Sequence, residues 1–321
     1  MWRYRRFTRP RRFVRLKCMV ASGKIRPGHD LAAPAATITS RDNRWLKRFR
    51  AALSGEHGDD GLVGVEGARL VEAALGSGLH VEALLVSDSG ERHKARLAPS
   101  LAHGVQILRT SDRLFAGIAD TQTPQGIAAL VRPKQATIDS LLQGTPLIVV
   151  LVGVQDPGNV GTILRAAEAF GGTGAVTCSC ASLGTADPLG SKALRASAGS
   201  ALRLPILQGL SSAIVLTQLR ASGVKVYAAV AAEMQQRERN REGPTLLLPW
   251  EIEWKSPAAL LIGNEGAGLP AETVRDSDAC IWIPQAAATT PVGVESLNAA
   301  MAATVLLYEA MRQRGARPKS T

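Results

Sequence analysis

Short apolar runs alternate with amphipathic segments over residues 61–131. Runs rich in β-branched residues predict strands, whereas apolar residues that recur every three or four positions predict helices. The predicted strands are residues 62–66, 81–86, 105–108 and 127–131, and the predicted helices are residues 69–76, 91–102 and 112–116. This alternation predicts a small α/β domain.

A second alternating region begins at residue 147 and continues almost to the end of the chain. Residues 147–152 are apolar throughout, as expected of a parallel strand that is buried on both faces. A turn and a predicted helix over residues 160–170 follow, and the chain closes on a long helix over about 296–312. Further strands are predicted at residues 175–178, 224–229, 259–262 and 280–283. The pattern predicts an α/β fold with a mostly parallel sheet and helices on both faces.

The segments outside these regions are richer in polar residues, proline and glycine. Residues 132–145, punctuated by Pro133 and Gly144, predict a linker, and residues 235–257 predict an exposed irregular excursion. We therefore divide the chain into a basic, disordered tail (1–37), a first domain (38–132) and a second domain (146–314).

A further helix is predicted from Ser40, a good N-cap residue, to about Leu53. Its apolar residues form one stripe, and a different face carries three arginines, Arg41, Arg44 and Arg48. Such a basic face is either solvated surface charge or a contact with a phosphate backbone. The sequence leaves both alternatives open.

The chain has 321 residues and a net charge of +11, which is concentrated at one end. Residues 1–29 contain ten basic side chains and no acidic one, so the rest of the chain is almost neutral. A tail of this kind grips phosphate, acts as an arginine-rich transit peptide, or lies upstream of a translation start at Met19. These three alternatives stay open.

The composition excludes a membrane protein and a disulfide scaffold. The longest apolar run, residues 147–154, is far shorter than the ~20 residues that a membrane span needs. Four cysteines in so long a chain form no disulfide framework, which indicates a reducing compartment. We expect a cytoplasmic protein, or an organellar one if residues 1–36 are a transit peptide.

All five histidines precede residue 110, so the second domain contains none. Their position excludes Ser-His-Asp and Cys-His catalysis in that domain, as well as a histidine-ligated metal, and we predict no metal site. The chain also lacks a Walker phosphate loop and a G-x-G-x-x-G turn between a strand and a helix. Kinase, NTPase and dinucleotide-binding functions therefore lack their signatures.

Three segments of the second domain contain more glycine, asparagine and charged residues than packing requires. They are residues 156–165 (DPGNVGTILR), residues 261–269 (LIGNEGAGL), and Ile283-Pro284 followed by residues 295–298 (ESLN). Two of them follow predicted strands, where open α/β sheets bind their ligands. Taken singly, Asn159 and Ser296 could be simple helix caps, but the three segments together indicate a binding site.

The three segments resemble, in order and separation, the signature motifs of the SpoU (TrmH-like) branch of the SPOUT RNA methyltransferases. Residues 65–75 and 123–126 resemble the N-terminal RNA-binding domain of that family, which is similar to a ribosomal protein. The resemblance covers about residues 38–312. It implies a SPOUT catalytic domain with a C-terminal trefoil knot, a rare exception to unknotted topology, preceded by a small α/β RNA-binding domain.

This resemblance implies an enzyme that transfers a methyl group from S-adenosylmethionine to a ribose 2′-hydroxyl in RNA. It also implies a homodimer that uses no metal. Ribosomal RNA is the expected substrate, because the RNA-binding domain precedes the catalytic one. The alternatives are a tRNA 2′-O-methyltransferase and a catalytically silent RNA-binding protein on the same scaffold.

The resemblance also assigns roles to individual residues. Arg165 approaches the 2′-hydroxyl, either as a base or as a stabiliser of the charge that develops on the oxygen. The residues that position Arg165 and the ribose are Asn159, Glu265, Ser296 and Asn298. The residues implied at the cofactor are Leu261, Gly263, Asn264, Ile283 and Leu297.

One departure from the family pattern lies in the third segment. Gln285 stands where the family commonly has methionine, and the stretch 286–295 is several residues longer than usual. The lengthened stretch predicts a change in cofactor affinity or in the choice of RNA.

Overall fold

A computed structural model of the protein describes residues 36–56, 60–97, 99, 105–179, 184–231, 243–285 and 296–315. The predictions for the tail before residue 36 and for the lengthened stretch 286–295 lie outside these residues.

The first half of the described chain forms a five-stranded mixed sheet with the strand order β1-β4-β3-β5-β2. Its strands are β1 (Ala36–Ile38), β2 (Val63–Glu66), β3 (His80–Ser87), β4 (Gln106–Thr110) and β5 (Ile127–Arg132). Its helices are α1 (Arg44–Ser54), α2 (Ala68–Gly76), α3 (Glu91–Leu97) and α4 (Asp112–Ala116). The predicted α/β organisation is confirmed, and residues 36 and 37, which the sequence assigns to the tail, lie in β1.

The second half forms a seven-stranded sheet in which all pairings between the described strands are parallel, as predicted. Its strands are β6 (Leu147–Val152), β7 (Gly174–Ser179), β8 (Ile206–Ser211), β9 (Lys225–Val230), β10 (Leu246–Leu247), β11 (Ala258–Ile262) and β12 (Ala279–Trp282). Its helices are α5 (Ile138–Leu141), α6 (Pro157–Ala169), α7 (Ser191–Ser197), α8 (Ser200–Arg203), α9 (Ser212–Ala221), α10 (Ala271–Arg275) and α11 (Ala299–Gln313). No described helix is long and apolar enough to cross a membrane.

The position of β11 brings two of the three segments singled out in the sequence to the same edge of the sheet. The strand order is β10-β12-β9-β11-β6-β7-β8, so β11 is inserted between β9 and β6. Leu151 of β6 lies opposite Ile262 of β11, and the carboxyl ends of both strands therefore meet at the same edge. The strand order reverses direction at this point, which is where open α/β sheets bind ligands.

Two helices begin later than predicted, because an asparagine rather than a serine caps each of them. Asn43 accepts the backbone N–H two residues later at 2.8 Å and starts α1. Asn298 starts α11 in the same way, at 2.9 Å. The predicted starts at Ser40 and Ser296 are therefore wrong, and Arg41 precedes α1.

The segment 235–257 contributes to the core in its described part, so the prediction of an exposed excursion is wrong there. Trp254 is fully buried, and its indole N–H donates to the Pro249 carbonyl at 2.8 Å. Its ring packs against Tyr227 with the ring centroids 5.6 Å apart. A tryptophan whose N–H finds a carbonyl is able to bury its large apolar surface, which the polar composition of the segment concealed.

The predicted linker contains α5, and Thr137 and Ser140 form its capping box. Leu141 of this helix is fully buried, so the linker is part of the core at this point. The sequence also did not predict the edge strand β8, in which burial does not alternate regularly along the strand, or the short helices α7 to α10.

The two halves share one apolar cluster, which runs from α2, β2 and β5 into β6, α6 and α11. The two halves approach each other closely at Gly199, between α7 and α8. A Cβ added there would lie 2.6 Å from the Cβ of Ala73 in α2, and the backbone φ of +85° also disfavours a side chain. The first half is therefore packed directly on the second.

Arg314 fastens the end of α11 to the start of the parallel sheet. Its guanidinium donates to four backbone carbonyls at 2.7–3.0 Å, those of Thr145, Pro146, Trp254 and Ser256. Burial lowers the pKa of Arg314. Hydrogen bonds from an ionised group are stronger than neutral ones, so this side chain joins segments that are far apart in sequence.

Arg314→Ala is expected to lower the free energy of unfolding by about 2–3 kcal/mol, because four backbone carbonyls, two of them in part-buried hydrogen bonds, lose a charged donor. Urea denaturation at a fixed protein concentration measures this change. Arg220→Ala, which removes an exposed arginine of α9, serves as the control and should change the value by less than about 0.5 kcal/mol. Equal stability of the two variants would contradict a stabilising role for the Arg314 hydrogen bonds.

Candidate active site

Hydrogen bonds connect the loops that follow β6 and β11. The side-chain amide of Asn264 donates to the Gly153 carbonyl at 2.9 Å. Its oxygen accepts the backbone N–H groups of Gly266 and Ala267 at 3.0 and 2.9 Å. Asn264 therefore shapes the second segment and ties it to the first.

Glu265 connects the second segment to the start of α6. Its carboxylate accepts the backbone N–H groups of Gln155 and Asp156, each at 3.1 Å, and the amide of Asn159 at 3.0 Å. Burial opposes ionisation of this carboxyl, but these donors outweigh it and hold the pKa of Glu265 below its usual value. The side chain is therefore an anion at neutral pH that is held by neutral donors.

Asn159 is shared between two partners. Its amide nitrogen donates to Glu265, and its amide oxygen accepts the side-chain amide of Asn298 at 3.1 Å. Since Asn298 also caps α11, one chain of side-chain hydrogen bonds joins all three segments that the sequence singled out. Each amide has a single orientation that satisfies its partners.

Arg165 lies on α6, six residues after Asn159, and its side chain is exposed. Within the described part of the chain, the side chain of Arg165 has no hydrogen-bond or ion-pair partner. The position of its helix is fixed, because a Cβ added to Gly161 would lie 2.3 Å from the Ala193 carbonyl oxygen of α7. The structure therefore presents a free guanidinium from a closely packed helix.

The glycine loop after β11 is closed on itself. Asn264 and Gly268 exchange two backbone hydrogen bonds of 3.0 Å. A Cβ added to Gly263 would lie 2.5 Å from the Gly268 carbonyl carbon and from the Leu269 nitrogen. Only glycine fits this position without movement of the backbone.

The other predicted site residues differ in their surroundings. Ile283 is half-buried directly after β12, and Leu297 is exposed at the start of α11. Ser296 is exposed and takes no part in the hydrogen bonds among described residues that join Asn159, Glu265 and Asn298. Leu261 is fully buried in β11, which is paired on both sides.

Two residues to which the sequence analysis gave no role complete the surroundings of the network. Asp156 caps α6 by accepting the Gly158 N–H at 3.0 Å, and Lys192 of α7 donates to the same carboxylate at 2.7 Å. The hydrogen bond from Lys192 is the main cause that lowers the pKa of Asp156. Asp156 could have been predicted as a helix cap, because it precedes a proline at the start of a helix. Lys192 could not have been predicted, because the sequence did not predict α7.

Of the three arginines that the sequence placed on one helix face, Arg44 and Arg48 lie on α1 and Arg41 precedes it. Arg48 forms an ion pair with Asp60 at 2.8 Å and lies 3.5 Å from Glu82, above the ring of Trp45. Arg44 is exposed on α1, and Arg41 is exposed before it. Arg48 is thus neutralised within the chain, whereas Arg41 and Arg44 project into solvent.

No group of three or more histidine, cysteine, aspartate or glutamate side chains suited to a metal ion lies among the described residues. The arrangement instead combines a fixed network of amides and a carboxylate, a guanidinium that is unpaired among the described residues, and a backbone loop that leaves no room for a side chain at residue 263. It is suited to orienting a polar substrate and to stabilising negative charge on it.

Two regions of the chain match known families. Residues 146–308 match the SpoU rRNA Methylase family, and residues 58–129 match the MRM3-like substrate binding domain.

Individual proteins are similar to the chain over most of its length. It is 34% identical to an uncharacterized tRNA/rRNA methyltransferase of Synechocystis sp. over 90% of this chain and 98% of that protein. It is 32% identical to the 23S rRNA (guanosine(2553)-2′-O)-methyltransferase RlmP of Bacillus subtilis over 76% of this chain and 86% of that protein. The AdoMet-bound rRNA methyltransferase from Sinorhizobium meliloti has a similar fold, with a TM-score of 0.69, 30% identity, and coverage of 87% of this chain and 98% of that one.

Proposed function

Because the chain belongs to the SpoU rRNA methylase family, we propose that it transfers a methyl group from S-adenosylmethionine to a ribose 2′-hydroxyl of RNA. The observation that carries the proposal is the chain of hydrogen bonds from Asn298 through Asn159 to Glu265, which joins the three family motifs. Arg165 is the last residue of the first motif and lies on the same helix as Asn159. Ribosomal RNA is the proposed substrate class, since the relative in Bacillus subtilis is named for 23S rRNA.

The glycine loop fits the cofactor. S-adenosylmethionine, when bound, supplies a methyl group that is already activated on a positively charged sulfonium. Gly263 would hold it through its backbone, which no side chain covers, and Asn264 would keep the loop closed through its two backbone hydrogen bonds to Gly268. Ile283 and Leu297 would add apolar contact.

In our proposal Arg165 stabilises the 2′-oxygen. A guanidinium has five donors and no acceptor, so it favours the negative charge that develops on the oxygen as the hydroxyl proton passes to water at this exposed site. Asn159, held between Glu265 and Asn298, fixes the start of α6 and thereby the position of Arg165. Ser296, exposed beside Asn298, is available to the ribose.

The direct test is transfer of labelled methyl from S-adenosylmethionine to ribosomal RNA and to tRNA, each digested to nucleosides. We expect the label in a 2′-O-methylnucleoside from ribosomal RNA. Label from tRNA alone would favour the tRNA enzyme. Cofactor binding without transfer to either RNA would redirect the search to an assembled ribosomal particle, and a chain that neither binds the cofactor nor transfers methyl would be a silent scaffold.

We propose that residues 38–132 bind the RNA, which the match of residues 58–129 to a substrate-binding domain supports. Arg41 and Arg44 are exposed and form no ion pair with the described residues, and the Arg44 guanidinium lies 5.8 Å from the Trp45 ring centroid. Arg48 is paired with Asp60.

Replacing Arg41 and Arg44 with alanine should weaken RNA binding and reduce the slope of log affinity against log salt by about 1.5, which is the loss of two phosphate contacts. Filter binding over a range of NaCl concentrations measures the slope. Arg48→Ala is the control and should leave it unchanged, because Asp60 and Glu82 already neutralise this side chain. An unaltered slope in the double variant would show that neither arginine contacts RNA phosphates.

We propose that the protein is a homodimer, and α11 offers a surface for it. Met301, Val305 and Tyr308 are large apolar side chains that recur on one face of this helix, and they are 62%, 43% and 51% exposed. A two-fold interface would pair this face with its copy and bury all three residues.

Val305→Asp is expected to raise the dimer dissociation constant by about 100-fold, because a two-fold interface would bury the new carboxylate twice. Sedimentation velocity at several concentrations measures this. Gln218→Asp, on the exposed face of α9, should leave the association unchanged. If Val305→Asp dimerises with undiminished affinity, α11 does not form the interface.

Three further features of the family belong to the same proposal. We propose that the catalytic domain contains the trefoil knot that the family resemblance implies. The catalytic domain would span residues 146–314, which include the matched range 146–308. We propose a cytoplasmic location, or an organellar one if residues 1–36 are a transit peptide, since both compartments contain ribosomal RNA.

A further inference from the structure

The loop after α4 is anchored from beneath by a buried carboxylate. Glu66 of β2 is only 8% exposed, and it accepts the backbone N–H of Asp120 at 2.8 Å and the hydroxyl of Thr121. The Asp120 backbone is thus fixed relative to the sheet of the first half.

The side chain of Asp120 crosses to the second half. One of its oxygens accepts the Ser191 hydroxyl at 2.7 Å and the Arg195 guanidinium at 2.7 Å. Ser191 and Arg195 are one turn apart on α7, so they lie on the same side of that helix. This contact is polar and specific, in contrast to the apolar packing beneath it.

The next residue of α7 contacts the active site. Lys192 donates to Asp156, which caps α6, and the backbone N–H of Asp156 donates to Glu265. The first turn of α7 therefore connects Asp120 on one side with the start of α6 on the other, and α7 is packed on α6 at Gly161.

We propose that Asp120 is a positioning residue: its contact with Ser191 and Arg195 aligns the RNA-binding half with α6, so that RNA bound there presents its ribose to Arg165. The inference rests on the proposed function. It concerns alignment rather than attachment, because the shared apolar cluster already joins the halves and a partly exposed ion pair adds little to stability. Small misplacements of a reacting group have large effects on rate.

The test compares single-turnover methyl transfer at saturating RNA and cofactor with the two dissociation constants. Asp120→Ala should slow transfer about tenfold, while both dissociation constants stay within about twofold of the unaltered protein. Arg195→Asp alone should slow transfer at least as much, because it places two carboxylates together. The exchanged pair Asp120→Arg with Arg195→Asp should return the rate to within about threefold.

Glu72→Ala is the matched control, because Glu72 pairs with Arg96 inside the first half and its loss should leave the rate unchanged. Equal rates for Asp120→Ala and the unaltered protein would overturn the inference, and so would a failure of the exchanged pair to recover. Weaker RNA binding with an unchanged saturated rate would make Asp120 an RNA contact instead. Absence of transfer by the unaltered protein would overturn the proposed function itself, which distinguishes the two failures.

Discussion

Arg165→Ala is expected to reduce methyl transfer by about 10³-fold, the upper range for removal of one group that stabilises charge in a transition state. The side chain is exposed, and it has no partner among the described residues. Nothing in the surrounding structure depends on it, so the free energy of unfolding should change by less than about 0.5 kcal/mol.

Single-turnover transfer to the preferred RNA measures the first effect, and urea denaturation and calorimetry with S-adenosylmethionine measure the fold and cofactor binding. Arg165→Lys is the informative companion. It keeps the positive charge but loses the planar fork of donors, so it should retain part of the activity if charge is what matters. Undiminished turnover by the alanine variant would show that Arg165 does not take part in the reaction. Loss of cofactor binding would show that Arg165 binds the cofactor instead.

Gly263→Ala is expected to weaken binding of S-adenosylmethionine on the order of 100-fold, because a Cβ would lie 2.5 Å from backbone atoms of Gly268 and Leu269. Backbone cannot rotate aside as a side chain does, and an overpacked position typically costs about 1–3 kcal/mol. The loop would open, and the backbone groups proposed to hold the cofactor would move with it.

Gly266→Ala provides a control within the same loop. The nearest atom to a Cβ at residue 266 is the Asn264 side-chain oxygen at 3.7 Å, which is ordinary van der Waals contact. Calorimetry should therefore give nearly unaltered affinity for this variant. Equal affinities for the two alanine variants would show that the closed form of the loop is not the form that binds.

The sheet was predictable because its signal is local. A strand buried on both faces must be apolar throughout, and residues 147–152 meet that requirement in the sequence and in the structure alike. Helix starts were less predictable, because Ser40 and Asn43 are both good caps. The choice between them depends on which residues the rest of the fold buries.

The motif residues were visible in the sequence, but their mutual contacts were not. That Asn159 would share its amide between Glu265 and Asn298 depends on the positions of β11 and α11, over more than one hundred residues of sequence. No sequence pattern indicated a role for Lys192 or Asp120. Lys192 lies on α7 and Asp120 contacts it, and α7 is a short helix without a strong apolar period. The burial of Trp254 was also not predicted, because its neighbours in the sequence are polar.

The same hydrogen bonds determine when the site can form during synthesis. Asn159 leaves the ribosome long before its two partners, and Asn298 lies in the final described segment of the chain. Contacts of such large sequence separation form late, because the intervening loop must close first. The first half, by contrast, has its sheet complete at residue 132. A nascent chain would therefore possess its first half, which we propose binds RNA, well before it possesses the proposed catalytic site, and activity would begin only after α11 has docked.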